Sequence, residues 1–252
     1  MIKAVLFDQD GVIIDSERDG HRIAYEMAFA HFGYDIKWDV DFYHELTQVG
    51  GGKERIVHYF RQYYAGELPA DLEALVKALH AKKTDDFLEM VENIPLRPGV
   101  RRLMEEVNKA HIPLGICTTS HERVALKIAQ SRLQEIEFDL ILAGDMVSRK
   151  KPHPEIYLTA LEKLQIKPEE CLVVEDSHVG LSAAKAAGCR VLVTYTDYTR
   201  KEDLSAADWI VNCLGDELGE RAIFVTGSFP LEKEGVISLT DLMGAFPQST
   251  NY

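Results

Sequence analysis

"LFDQDGVIIDSE", residues 6–17, ends an apolar run on two aspartates, Asp8 and Asp10, and then turns on Gly11. Acidic residues are poor strand formers. Two carboxylates this close repel each other unless something positive sits between them. The stretch is either a surface accident at a strand end or part of a metal-dependent active site. The four residues AVLF, 4–7, read as a short buried strand leading into it.

Downstream, the pattern is helical. In 21–32, Ile23, Met27, Ala30 and Phe32 fall roughly on one face. In 53–64, Ile56, Phe60 and Tyr63 or Tyr64 repeat at helical spacing. In 71–91, Leu72, Leu75, Val76 and Leu79 continue the pattern, and Phe87, Leu88 and Val91 follow a polar middle. No strand is expected between about 16 and 92. The grammar changes at "IPLRPGV", 94–100. From there helices (99–110, 122–133, 154–165, 179–187) alternate with apolar strands (113–118, 138–142, 171–175, 190–195, and a short one at 208–211). That alternation means βαβ units and a parallel sheet covered on both faces. A lone first strand must pair with something. The expected fold is therefore α/β, a Rossmann-like parallel sheet built from 1–15 and 93–215, with a helical domain, 16–92, inserted after the first strand. Residues 216–252 are less regular: "RAIFVTGSF" offers one more strand, and "PQSTNY" reads as a frayed end.

Composition narrows the function. The chain has 252 residues and a net charge of −13. It lacks the phosphate-neutralising field of a nucleic-acid or anionic-membrane binder. Its apolar runs are far shorter than a membrane span. Met1-Ile2-Lys3 leads straight into a strand with no export signal, and Cys117, Cys171, Cys189 and Cys213 form no CxxC pair, so buried free thiols and a cytoplasmic setting are expected. A small phosphorylated substrate remains compatible with this charge if a few cations are focused on one site.

In an open parallel sheet, ligands bind beyond the carboxyl ends of the strands. Asp8 and Asp10 follow the first strand. Thr118, Thr119 and Ser120 follow the second, Lys150 and Lys151 come after the third, and Glu175 and Asp176 end the fourth. Four carboxylates at one edge need a cation. An all-oxygen ligand set points to a hard one, Mg²⁺. Each feature has a plainer reading alone: strand-end caps for the aspartates, a helix cap for Thr118 and Thr119, a solvated lysine for Lys151, and an N-cap of 179–187 for Asp176 and Ser177. "VGGGKER", 49–55, is not a Walker loop, because Thr47 and Glu54 stand where Gly and Ser or Thr are required. It is either a flexible loop or a set of backbone N–H groups, with Lys53 and Arg55, at a helix start suited to an anion.

Taken in order, these motifs resemble the haloacid-dehalogenase-like (HAD) superfamily: DxDG(T/V) at Asp8–Val12, a strand ending in Thr118, Lys151-Pro152, and "EDS" at Glu175–Ser177. The resemblance implies that Asp8 attacks phosphorus, Asp10 acts as general acid and base, Thr118 holds the phosphoryl group and Lys151 balances charge. It further implies Mg²⁺ held by Asp8, the backbone carbonyl of Asp10, and Asp176, with Glu175 in support, and a helical cap hinged near 14–17 and 92–98. "DSERDGHR" (15–22), "WDVDFYHEL" (38–46), "GGGKER" (50–55) and "LRPGV" (96–100) look like the CbbY-type phosphatases of that superfamily. This implies a sugar bisphosphate such as xylulose 1,5-bisphosphate, its distal phosphate gripped by Gly51, Gly52, Lys53 and Arg55, with Glu17 and His21 at the cap–core junction and Thr119 and Ser120 beside the phosphoryl site. A phosphoglycolate or other sugar-phosphate phosphatase, a β-phosphoglucomutase-like isomerase and a non-catalytic binder stay open as alternatives. A self-sufficient monomer is expected, since nothing from a partner is needed to cover the site.

Overall fold

The computed structural model describes residues 1–246, without the side chains of Arg18 and Asp19; the PQSTNY end lies outside the described residues. A seven-stranded sheet runs through the centre in the order β3-β2-β1-β4-β5-β6-β7. Its strands are β1 (Ala4–Phe7), β2 (Leu114–Thr118), β3 (Leu140–Ala143), β4 (Cys171–Glu175), β5 (Arg190–Thr194), β6 (Trp209–Val211) and β7 (Phe224–Thr226). All neighbours are parallel except β7, which lies antiparallel on β6.

The first strand shows why an unbroken apolar run was needed. Val5 and Phe7 enter one core cluster and Ala4 and Leu6 enter the other, with no exposure on either face. On the Val5 side pack α5 (Val100–Lys109), α6 (Glu122–Arg132) and α9 (Leu239–Ala245). On the Leu6 side pack α7 (Glu155–Leu164) and α8 (His178–Ala186).

Between β1 and α5 the chain makes four further helices: α1 (Arg22–His31), α2 (Val40–Thr47), α3 (Gly52–Gln62) and α4 (Leu72–Met90). Asp39 and Asp71 start α2 and α4 by accepting from Phe42 N at 2.8 Å and Ala74 N at 2.9 Å. These helices enclose their own cluster, dominated by Tyr25, Phe29, Trp38, Tyr43 and Phe60. The inward face of α1 differs from the expected one. Ala24, Tyr25, Ala28 and Phe29 are buried, while Met27 and Phe32 are exposed. The helix is apolar on several sides, and contact with Trp38, 5.0 Å from both Tyr25 and Phe29, decides which side turns in. The two strands of chain that lead into and out of the insert run together: Ile14 bridges Leu96, and Arg97 N donates to Ile13 O at 2.9 Å.

Past residue 215 the chain is more integral to the core than its irregular sequence suggests. Ile237, Leu239, Leu242 and Phe246 are buried in the main cluster. The Arg102 guanidinium ties the segment down by donating to the carbonyls of Leu214, Gly215 and Ile237, and Glu106 accepts from Leu239 N. Among the described residues no helix is long and apolar enough to cross a membrane. All four cysteines are free and buried.

Candidate active site

The carboxyl ends of β1, β2 and β4 and the loop after β3 converge, as the topology requires. Lys151 Nζ donates to Asp8 Oδ1 at 2.6 Å, to Glu175 Oε1 at 2.7 Å and to the Cys117 carbonyl at 2.8 Å. Asp8, Glu175 and Asp176 bring carboxylate oxygens within 4.8 Å of one another. One ammonium thus bonds two of three clustered buried acids, and Asp176 has no ammonium of its own among the described residues. The result is legible in their protonation. Burial, joined by the charges of Glu175 and Asp10, pushes the Asp8 carboxyl up to about 8, and Lys151 offsets this only in part. Burial and the charges of Glu175 and Asp8 raise Asp176 well above the usual carboxylate range. Burial would lower Lys151, but Asp8 and Glu175 hold it above an ordinary lysine. The Tyr157 hydroxyl also donates to Glu175 Oε1, so that this oxygen faces Lys151 and Tyr157. An all-oxygen cluster with unbalanced negative charge fits a hard dication.

Glycine is needed at position 11 on two counts. Its φ is +85°, and a Cβ there would lie 2.1 Å from Asp176 Oδ2. The neighbouring carbonyl of Gly11 accepts from Arg97, whose guanidinium also reaches the carbonyls of Thr194, Tyr195 and Asn212. Arg97 therefore binds together three strand ends under the site.

Asp10 sits in a different environment. It accepts from Ser16 Oγ and Ser120 Oγ, and from His21 Nε2 at 2.9 Å. Burial alone would raise its carboxyl; the adjacent His21 ring and the hydrogen bonds from His21, Ser120 and Ser16 instead hold it well below the usual range. On the other side of the ring, Lys83 Nζ lies 2.8 Å from His21 Nδ1. With the ammonium donating, Nδ1 accepts and Nε2–H points at Asp10. Lys83 is itself buried between Tyr25 and Phe87, 4.9 and 5.2 Å from their ring centroids, and burial pulls it down to about 8. The segment carrying His21 is a single wide turn, with His21 N donating five residues back to Ser16 O at 2.8 Å.

Core and insert close over one cavity of about 100 Å³. From the core it is lined by Asp8, Asp10, Thr118, Thr119, Ser120, Lys151, Glu175 and Asp176. From the insert come Glu17, His21, Gly51, Gly52, Arg55 and Lys83. Lys53 does not line it. Its ammonium lies at the seam, 2.6 Å from Asp145 Oδ2, and Lys150 bridges Asp145 and Glu54. Arg55 is buried and engaged with Tyr43 Oη at 3.0 Å, Leu46 O at 3.1 Å and Glu17 at 4.0 Å. Gly50 abuts the core directly, since a Cβ there would lie 2.3 Å from the Lys151 carbonyl. Thr118 is no helix cap: its Oγ1 accepts from Ser120 N at 3.1 Å, while His121 caps α6. Ser177, not Asp176, caps α8.

Ser16, Lys83, Arg97 and Tyr157 belong to the site but carry no motif that marks them in the sequence. Lys83 had a signal. It continues the stripe Val76, Leu79 and Phe87 at helical spacing, so a lysine there must be buried.

A family model described as a haloacid dehalogenase-like hydrolase matches residues 2–188. The chain is 42% identical over 226 residues to a CBBY-like protein of Arabidopsis thaliana, spanning 86% of this chain and 71% of that protein. It is 40% identical over 225 residues to the protein CbbY of Cereibacter sphaeroides, spanning 87% and 95%. Among solved structures, a variant of CbbY from Rhodobacter sphaeroides in complex with xylulose 1,5-bisphosphate superposes with a TM-score of 0.78 at 38% identity, covering 84% of this chain and 95% of that one. A β-phosphoglucomutase from Clostridium difficile superposes at 0.68 with 25% identity, covering 84% and 91%. The chain belongs to the haloacid dehalogenase-like hydrolase family, as one of its phosphoric monoester hydrolases.

Proposed function

We propose that the chain hydrolyses a small sugar phosphate through an aspartyl-phosphate intermediate, with Mg²⁺ as cofactor and a sugar bisphosphate, xylulose 1,5-bisphosphate, as the preferred substrate. The observation that carries the reading is the contrast between the two aspartates of β1. Asp8 lies against Lys151 in an acid-rich cluster, and Asp10 lies against hydrogen-bond donors under the insert. Paired acids in unlike environments mark unlike roles.

Asp8 supplies the attacking oxygen; the ester P–O bond breaks as the Asp8–phosphorus bond forms. Thr118 donates to the phosphoryl oxygens, and Lys151 holds the charge that builds on them and on Asp8. Entry of substrate displaces the Ser16 and Ser120 hydroxyls from Asp10. Parting of the insert also removes His21 from Asp10; freed of these donors, the carboxylate takes up a proton from solvent, delivers it to the leaving oxygen and later takes one from the water that cleaves the acyl phosphate. Asp8, Asp176 and the Asp10 carbonyl would hold Mg²⁺, with Glu175 behind them; when bound it neutralises charge on the transferred phosphoryl group.

The insert acts as a cap. A cavity of about 100 Å³ is smaller than an ordinary ligand pocket, roughly 300–1,000 Å³, so the insert must part from the core to admit a sugar bisphosphate. Lys53 and Arg55 would then grip the distal phosphate with the amides of Gly51 and Gly52, which requires Lys53 to leave Asp145. The xylulose 1,5-bisphosphate bound in the Rhodobacter sphaeroides CbbY structure supports this substrate class.

The test is phosphate release with Mg²⁺ from xylulose 1,5-bisphosphate, ribulose 1,5-bisphosphate, phosphoglycolate, fructose 1,6-bisphosphate and β-glucose 1-phosphate, with Asp8→Asn as blank. A clear preference for xylulose 1,5-bisphosphate, reduced by Lys53→Ala, supports the reading. Uniform slow turnover removes the bisphosphate assignment. Glucose 6-phosphate formed from β-glucose 1-phosphate without phosphate release replaces hydrolysis by isomerisation.

A further inference from the structure

A second cavity, about 760 Å³, lies on the outer side of the insert between α3 and α4. Its floor is aliphatic, formed by Val57, Leu72 and Val76, which back onto the aromatic cluster. Its rim carries Lys53, His58, Arg61 and Lys77 against Glu54 and Glu73. On a chain of net charge −13, this local excess of cations is unusual. Arg61 and Lys77 make no hydrogen bond or ion pair with any described residue. Lys53 belongs to the groove, yet its ammonium is on Asp145 of the core, and the loop Gly50–Gly52 beside it lines the catalytic cavity. The loop is thus a thin wall between two spaces.

We propose that this groove binds a small amphipathic anion, an anionic head on an apolar body, and that its occupation loosens the closed insert by drawing Lys53 away from Asp145. Charge complementarity selects the head: Arg61 and Lys77 are unneutralised, and Lys53 is the cation nearest the core. The aliphatic floor selects the body, and the volume suits a ligand of metabolite size. A salt bridge as exposed as Lys53–Asp145, with side chains 39% and 61% accessible, is weak enough to be exchanged for a bound anion. The ligand would therefore modulate the enzyme without touching phosphorus.

The probe is 1-anilinonaphthalene-8-sulfonate, an amphipathic anion with its own fluorescence, titrated into the full-length protein with Mg²⁺. One saturable equivalent is expected. Affinity should fall at least about tenfold in Arg61→Glu/Lys77→Glu and stay unchanged in a charge-matched control, Lys109→Glu/Lys201→Glu. Displacement by hexyl phosphate or by hexanoate distinguishes a phosphate head from a carboxylate head. Hydrogen exchange of the 49–56 segment should quicken in the occupied wild type only, a readout independent of activity. Equal binding by the groove variant, or an equal loss in the control, overturns the site. Binding without faster exchange at 49–56 overturns the coupling.

Discussion

Lys83→Met tests the environment of the His21 ring most directly. The wild-type ammonium is buried, and burial moves Lys83 from 10.5 down to about 8. At neutral pH the side chain is charged in both folded and unfolded chains, so the folded state bears the whole penalty, ~3 kcal/mol. The hydrogen bond to His21 and the two ring contacts are lost on substitution and return ~1–2 kcal/mol of that. Methionine occupies nearly the same volume, so no sizeable void is left. The variant should therefore be more stable than wild type by ~1–2 kcal/mol at pH 7. The sign with pH is fixed by linkage. Between pH 8 and 10.5 the unfolded chain binds more protons at this position than the folded one, so wild-type stability from Lys83 rises across that window while the variant's does not. By pH 10 most of the variant's advantage should have vanished. Urea unfolding at pH 7 and pH 10 reads this as a difference in midpoints that shrinks by roughly 0.5–1 M. Catalysis should move the other way, with kcat lowered because His21 loses the partner that aims its Nε2–H at Asp10. A midpoint difference independent of pH would refute the reasoning, since it would mean that Lys83 titrates as it does in the unfolded chain.

Removing divalent metal should expose the strain at Asp8. Its carboxyl is raised, so the stability it contributes is complete below pH about 4 and is lost as the pH rises through about 8; with a chelator the wild type should weaken over that range, Mg²⁺ should flatten the slope, and Asp8→Asn should lack it, as thermal unfolding at several pH values would record. Gly11→Ala should lower kcat at least about a hundredfold and cost ~1–3 kcal/mol, because the added carbon meets Asp176 in a backbone conformation only glycine holds easily; wild-type-like turnover would contradict the role given to that contact. Deleting residues 216–252 should yield insoluble protein, since Ile237, Leu242 and Phe246 each contribute roughly 1.5–3 kcal/mol of burial to the main core; a soluble truncated chain with a cooperative melt would show the segment to be dispensable.

Much of the site could be read from the sequence because its chemistry is tied to strand ends. Asp8, Thr118 and Glu175 terminate apolar runs, and Asp10, Lys151 and Asp176 follow such runs; the α/β rule then gathers them at one edge. The less legible parts depend on tertiary packing. α4 reads as a helix with a polar interruption, yet Lys83, Thr84 and Asp86 are buried, because that stretch passes from the aromatic cluster to the wall of the catalytic cavity. The inward side of α1 is not legible in its periodicity, because Tyr25 and Phe29 find Trp38, a partner no periodicity specifies. α9 has only seven residues, too few for a repeat to stand out, and its burial depends on a groove beside α5. Lys53 has the residue type for anion binding, but its direction depends on Asp145, far along the chain.

The position of β1 has a consequence for how the chain is made. It lies at the middle of the sheet, yet it precedes every other strand along the chain, and its neighbours, β2 and β4, follow only after the whole insert. Lys151 follows Asp8 by 143 residues, about 7–30 s of translation at ordinary rates. For most of that interval the apolar AVLF segment has no strand to pair with. The aromatic cluster of the insert, whose members other than Tyr198 all lie within residues 25–79, is complete long before. The helical segment can thus bury its own apolar surface before the sheet is complete, and the other half assembles afterwards around a strand that has been waiting for it.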